Sequence, residues 1–364
     1  MAPYGFRAHL HAQLSRSEEA GRSALGSAAT NDRQGPDMKR FKNILLICDE
    51  QSTHDDLIGR AIWLAKANGA RLTLVNVVEA APGELARVFG ALPGSRALDV
   101  EHEVLAFHRE RLATVAAPIK SEGIETSEDI LQGVAFIEII RKVLRDGHDL
   151  VMKGAAGSTE GTSLFFASTD LHLLRKCPCP VWIMKRRGRR KYARVLAAVD
   201  PDATNGQKDA LNRLIMDLAT SLSQMDGSEL HIANAWSLEE EGTLRHSGFA
   251  RIAQTEVDLL VEGRRKQTEE RLNALLADYP DETGKRRVHL MKGVAREVIP
   301  QIAAKKRVEL IVMGTVARTG IRGLFIGNTA EAILNQVECS VLAVKPPGFE
   351  SPVQIDTDTA AADL

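Results

Sequence analysis

The chain is 364 residues long, enough for about two domains of ordinary size. Its 44% apolar and 26% charged residues are those of a folded globular protein, and a net charge of −1 supplies no basic field for nucleic acid or an anionic membrane. Only 4% of the residues are aromatic, too few for a single-strand stacking platform, and no run of about 18 apolar residues offers a membrane span.

Residues 1–37 lack the apolar core of a signal peptide, and their low hydrophobicity predicts a disordered extension. Met38 opens MKRFKNILLICDE, which reads like a natural start, so the upstream segment need not belong to the native product. From there strand and helix signals alternate. Ile44 to Cys48 is an apolar run, and Leu57, Ile58, Ala61, Ile62 and Ala65 follow at helical spacing up to Gly69. Leu72 to Val78 predicts a second strand, and Glu101 to Glu122 a long helix with Val104, Leu105, His108, Leu112 and Val115 on one face. Glu125 to Leu131, Leu150 to Met152 and Pro180 to Met184 complete five strands, with helices over Ala135 to Arg145 and Thr169 to Lys176. The second half repeats the order, with strands at Val195 to Val199, Leu230 to Ala235, Val288 to Met291, Leu310 to Met313 and Val341 to Val344.

The repetition is visible letter by letter. LVMKGAAG (150–157) answers LIVMGTVA (310–317), LQGVAFIEII answers MKGVAREVIP, and CPVWIMK answers CSVLAVK, each offset by 160 residues. ILLICDE answers VLAAVDP at an offset of 151, and LTLVNVV answers LHIANAW at 158. A fixed period of this length means two copies of one domain. The expected segments are a first domain over 38–187, a linker at 188–191, a second domain over 192–348 and a flexible acidic tail over 349–364. KRRGRRK (185–191) reads as a solvated linker, or alternatively as a docking patch for an anionic partner.

Strands alternating with helices make parallel sheets with right-handed crossovers, whose ligands sit beyond the carboxyl ends of the strands. Asp49, Asp200, Gly154 and Gly314 all fall at such ends, so an Asp and a Gly converge in each half.

GTVARTGIRGLFIGNT (314–329) carries glycines at both ends of a loop that follows the fourth strand. A glycine, two residues, a position for a second glycine, nine residues, and a final glycine before a Ser or Thr is a pattern that resembles the universal stress protein family. DLHLLRKCPCPVW (170–182) and the tail SPVQID add to the likeness, which covers both copies and points to a tandem member. The resemblance implies an α/β fold of two tandem five-stranded parallel sheets flanked by helices, adenine-nucleotide alpha hydrolase-like and Rossmann-like. It also implies that the loop wraps the phosphates of ATP, while an Asp after the first strand and backbone after the second hold the adenosine.

Carried onto the second half, the resemblance assigns nucleotide binding to Asp200, Ala235, Gly314, Ala317, Arg318, Gly327, Asn328 and Thr329. Glycine there lets backbone N–H groups approach phosphate oxygens. Asn328 is expected to cap the next helix, with Glu331 completing a capping box, and Arg318 and Arg322 add positive charge. Ala317 stands at the second glycine position and costs about 1–2 kcal/mol if that position is left-handed. Asn328 replaces the usual hydroxyl residue, so the implied ATP site is a weakened one.

In the first half the corresponding residues are Asp49, Val77, Gly154, Gly157 and Ser168. There Ala167 replaces the last glycine, Glu160 is the only charge between Gly154 and Ala167, and Asp170 on the first helical turn repels phosphate. The first site is therefore read as degenerate.

The four cysteines form neither a disulfide scaffold nor a CxxC motif and suit a reducing cytoplasm. Cys177, Cys179 and Cys339 read as small apolar residues, with a redox or metal role for the first two as the alternative. No HExxH or GxSxG motif occurs, so neither a metal site nor a catalytic residue is indicated; His148 and His172 read as structural, and Lys153 and Lys345 as snorkelling side chains.

The reading that follows is a non-enzymatic, cytoplasmic stress-response protein, an intramolecular pseudo-dimer packed through its last strands, acting on an unknown protein partner with a small ligand in its second half. The alternatives are a weak ATPase or autophosphorylating enzyme, which lacks a Walker lysine and a placed base, and a binder of a non-ATP metabolite such as a lipidic or sugar-nucleotide ligand. Nucleic acid and membrane are not expected as partners, and a further dimerisation through a helical face stays open.

Overall fold

The computed structural model describes residues 41–50, 53–79, 97–155, 168–185, 191–201, 206–246, 253–315 and 327–355. The extension at 1–37 and the basic run at 186–190 lie outside them. Strand β1 (Asn43–Ile47) leads into α1 (Asp55–Asn68), β2 (Arg71–Val78), α2 (Ala97–Ser121), β3 (Thr126–Gln132) and α3 (Ala135–Asp146). Then come β4 (Leu150–Gly154), α4 (Ser168–Lys176) and β5 (Val181–Met184). The second copy runs β6 (Arg194–Ala198), α5 (Gly206–Asp226), β7 (Glu229–Trp236), α6 (Glu241–His246), α7 (Gln254–Ala277), β8 (Arg286–Lys292), α8 (Ala295–Lys305), β9 (Leu310–Gly314), α9 (Asn328–Leu334) and β10 (Ser340–Val344).

Local chemistry sets the boundaries. His54 Nδ1 accepts from the Leu57 N–H to start α1, and Gly69, left-handed at φ 59°, ends it with bonds back to the last turn. Gly147 ends α3 in the same way at φ 65°. In the long helix α2 the expected stripe is buried at Leu112 and half-buried at Val104, Leu105, His108 and Val115, and it continues in the buried Ala116 and Ile119.

The strands form one ten-stranded sheet in the order β3-β2-β1-β4-β5-β10-β9-β6-β7-β8. All pairs within each half are parallel, and the halves join through an antiparallel β5–β10 contact in which Leu342 faces Trp182. The two expected five-stranded parallel sheets are thus present, joined edge to edge through their last strands, which removes one exposed edge from each. Alternate residues of the strands face two apolar cores, one on either side of the sheet, and both run across the joint.

Charged groups also span the joint. Arg60 on α1 pairs with Asp226 at the end of α5 at 2.7 Å, both side chains fully buried, with the guanidinium against Trp63, Trp182 and Tyr192. Arg175 on α4 meets Glu331 on α9 at 2.7 Å. Lys185 donates to the Val337 carbonyl, just past α9, and the pseudo-symmetric Lys345 donates to the Leu174 carbonyl in the last turn of α4, so each half's last strand is followed by a lysine that bonds backbone of the other half. Lys345 is 4% exposed and Lys153 5%, so neither snorkels: both are anchored inside by polar partners.

Candidate functional site

In each half the chain winds outward from the first strand through the second to the third, then returns to the other side for the fourth and fifth. The reversal lies between β1 and β4, and again between β6 and β9, which is where such sheets open a crevice at their carboxyl ends. Asp49 follows β1 beside the end of β4 at Gly154, and Asp200 follows β6 beside the end of β9 at Gly314. The fold therefore brings each predicted Asp–Gly pair to a switch point.

The neighbouring backbone is arranged alike in both copies. The Val75 carbonyl accepts from the Cys48 N–H, and the Val78 carbonyl accepts from Gly133 on the opposite side. Polar groups of a parallel strand alternate sides, so those of Val77 point toward the β1 side, beyond the last β1–β2 pair at Ile47–Val75. In the second copy the Ala233 carbonyl accepts from Val199 and that of Trp236 from Gly293, which aims Ala235 toward the β6 side. Val77 and Ala235 thus offer backbone polar groups beside Asp49 and Asp200. Asn76 Nδ2 donates to the Cys48 carbonyl, and Asn234 Nδ2 to the Val199 carbonyl at 3.0 Å, so a buried asparagine ties the second strand to the residue before each Asp. Both asparagines stand at matching places in LTLVNVV and LHIANAW, and that coincidence of a buried polar residue was the signal for them.

The copies differ in charge. In the first half Lys153 Nζ lies 3.0 Å from Asp170 Oδ1, 3.3 Å from Asp49 Oδ2 and 3.0 Å from the Gly154 carbonyl. Asp170 is fully buried, so its carboxylate meets the lysine inside the protein rather than facing a phosphate. Lys153 thus pairs with both carboxylates at the first switch point. At the matching positions of the second half stand Met313 and Ala330, both buried and apolar, so no lysine lies on β9 to engage Asp200. Asp200 is half-buried and is held through its backbone: its N–H donates to Asn212 Oδ1 at 2.9 Å, and its carbonyl accepts from Asn212 Nδ2 at 2.8 Å.

The phosphate-loop residues fall into two groups. Gly157, Ala167, Ala317, Arg318 and Arg322 lie outside the described residues. The ends of the second loop are described: the Gly327 N–H donates to the Thr315 carbonyl at 3.0 Å, which closes the loop at its base. A Cβ on Gly314 would lie 2.7 Å from Leu211 Cδ2, so glycine here makes room for α5. Asn328 does not cap the helix; Gly327 holds the cap position in extended conformation, and Asn328 is the first helical residue. The expected capping box is absent because the cap position falls on Gly327, which has no side chain, and Glu331 instead reaches across the joint to Arg175. Asn328, Thr329 and, in the first half, Ser168 are exposed at the starts of α9 and α4.

The remaining sequence candidates take structural places. His148 is buried and His172 stacks on Phe136 with centroids 4.2 Å apart; burial pulls both imidazoles below their ordinary range. No cluster of three metal-ligating side chains occurs among the described residues, and no described helix is long and apolar enough to cross a membrane. A small, shallow cleft between Thr220, Leu230, Tyr279 and Arg286 lies at the amino ends of β7 and β8, opposite the switch point.

The sequence profile of the universal stress protein family matches residues 40–185 and again 191–345. Universal stress protein E of Escherichia coli (strain K12) is 26% identical over 323 residues, spanning 88% of this chain and 99% of that protein. The universal stress protein E homolog of Haemophilus influenzae is 27% identical over 320 residues, spanning 84% and 98%. Among solved structures, a protein of unknown function from Pseudomonas aeruginosa PAO1 superposes with a TM-score of 0.64 at 24% identity, covering 86% of this chain and 95% of that one. A universal stress protein from Archaeoglobus fulgidus superposes with a TM-score of 0.56 at 18% identity, covering 86% and 98%.

Proposed function

The chain belongs to the universal stress protein family as a tandem member, and on that premise we propose that it is a non-enzymatic stress-response protein with one working ligand pocket, in its second half. The observation that carries the reading is the asymmetry at β4 and β9. Lys153 neutralises Asp49 and Asp170 in the first half, while Met313 and Ala330 take those places in the second. The ligand of the second half is an adenine nucleotide, bound weakly. Asp200 engages its ribose, the backbone of Ala235 its base, and Gly314, Ala317, Arg318, Gly327, Asn328 and Thr329 its phosphates. The first half serves as a closed scaffold, and ligand occupancy biases the surface offered to a protein partner in the cytoplasm.

No Walker lysine or placed base accompanies the loop, which supports binding without turnover. Thermal unfolding with ATP and magnesium tests the reading. A ligand at about 100 times its Kd adds about 2.7 kcal/mol, or on the order of 4 °C when both halves, which share one sheet and its cores, melt together. Asp200→Ala abolishes the shift and Asp49→Ala keeps it. No shift at millimolar ATP, or ATP hydrolysis lost in Asp200→Ala, sinks the reading.

A further inference from the structure

Where α4 gives way to β5, Cys177 Sγ lies 3.6 Å from Cys179 Sγ, with Pro178 holding the turn between them. Cys177 is fully buried and Cys179 half-buried. From the other half, the buried Lys345 comes in beneath, bonded to the Leu174 carbonyl and to Thr315 Oγ1. The charges that help it keep its proton are those of Cys177 and Cys179, while burial pulls its ammonium down to about 8.

The second half provides a comparison inside the same chain. Offset by 160 residues, Val337 stands at the place of Cys177 and Cys339 at that of Cys179, and the pseudo-symmetric Lys185 bonds the Val337 carbonyl. A valine therefore satisfies the packing at this position. Packing does not require the thiol of Cys177, and only the first half pairs two sulfurs.

We propose that Cys177 and Cys179 are a redox-active dithiol, oxidised by small hydroperoxides to an internal disulfide, with Lys345 as the positioning residue that stabilises the attacking thiolate. Cys177 carries the thiolate. Burial opposes ionisation there, but the Cys179 S–H bond and the Lys345 charge outweigh it and hold the thiol below its ordinary value. The bond to Cys177, reinforced by burial, holds the Cys179 thiol well above its own. The Cys177 sulfur attacks one peroxide oxygen; the O–O bond breaks, and the leaving hydroxide or alkoxide takes a proton, giving a Cys177 sulfenic acid and water or alcohol. Cys179 then attacks that sulfur, loses its proton, and expels hydroxide that leaves as water. The net reaction converts two thiols and one hydroperoxide to a disulfide, water and the corresponding alcohol, or a second water. The sulfurs need only close to about 2.05 Å. The step removes the thiolate opposite Lys345, so the joint between the halves senses the oxidation.

Trypsin cuts after Lys176 and Lys185, so both sulfurs fall in the peptide CPCPVWIMK. The full chain is treated with hydrogen peroxide, alkylated in denaturant and digested. The expected result is that this peptide is two hydrogens lighter and unalkylated, while Cys48 and Cys339 are fully alkylated. Oxidation of Cys48 or Cys339 with both thiols of this peptide still alkylated overturns the proposal. Cys179→Ser is expected to stop at a sulfenic acid on Cys177 that dimedone captures. Lys345→Met is expected to slow the disulfide at least tenfold and Lys345→Arg to restore most of the rate; an unchanged rate in Lys345→Met removes the lysine from the proposal. Cys177→Val copies Val337 and is expected to melt like the parent without forming the disulfide, whereas loss of the fold in that variant would show the thiol to be structural and refute the proposal.

Discussion

Replacing Lys153 with methionine, the residue at the same place in the second half, leaves Asp170 fully buried without its cation. Breaking a buried ion pair from one side costs about 3–5 kcal/mol, because the remaining charge cannot return to water. Asp49 adds little to that cost, since its side chain keeps 35% of its exposure and is solvated when the lysine is gone. Asp170→Ala, which copies Ala330, incurs a cost of the same order by leaving Lys153 with the partly solvated Asp49 alone. The double variant Lys153→Met/Asp170→Ala reproduces the apolar arrangement of the second half. Replacing both members of a buried pair by packed apolar groups ranges from neutral to stabilising by about 1–4 kcal/mol. The expected double-mutant cycle therefore shows two costly singles, a double near the parent, and a coupling energy close to the sum of the singles, about 6–10 kcal/mol. Urea unfolding reads it: each single lowers the midpoint by on the order of 1–2 M for a slope near 3 kcal/mol/M. Singles costing below about 1 kcal/mol, or a double as unstable as their sum, would refute the claim that the first site is closed by a buried ion pair.

Asp226→Ala removes the carboxylate that holds Arg60 across the joint, and urea titration is expected to show a loss of about 3–5 kcal/mol. Gly314→Ala forces a Cβ to within 2.7 Å of Leu211 and is expected to cost about 1–3 kcal/mol; in Leu211→Ala background the added cost shrinks, as a thermodynamic cycle would show. His231 Nδ1 and His289 Nε2 lie 2.8 Å apart on β7 and β8, and burial pulls both imidazoles below their ordinary value. The unfolded chain then binds protons first, so their contribution is complete above an unfolded pKa of about 6.5 and is lost as pH falls below it. Unfolding free energies measured from pH 7.5 to 5 should decline with a slope that His289→Gln reduces; an unchanged slope excludes the pair as its source.

Much of the architecture was legible because duplication supplied each element twice. The parallel sheets and the convergence of Asp49 with Gly154, and of Asp200 with Gly314, follow from alternating elements and the rule that parallel sheets open at their switch points. The joint through the last strands was expected from the family resemblance, and the antiparallel β5–β10 pair forms it. What the sequence hid were contacts between residues far apart in the chain. Lys153 read as a snorkelling side chain because its partners, Asp49 and Asp170, come from other elements. Asn328 followed by Glu331 looked like a cap, yet the helix starts from Gly327, and Arg175, 156 residues away, takes the carboxylate. The Cys177 and Cys179 pair gained its lysine only when the second half folded against the first.

Native mass spectrometry of the purified chain, titrated with ATP and magnesium, tests the one-pocket account most directly. The account predicts saturation at one nucleotide per chain, retained in Asp49→Ala and lost in Asp200→Ala. Two nucleotides per chain, or a nucleotide that survives Asp200→Ala and disappears in Asp49→Ala, would contradict it.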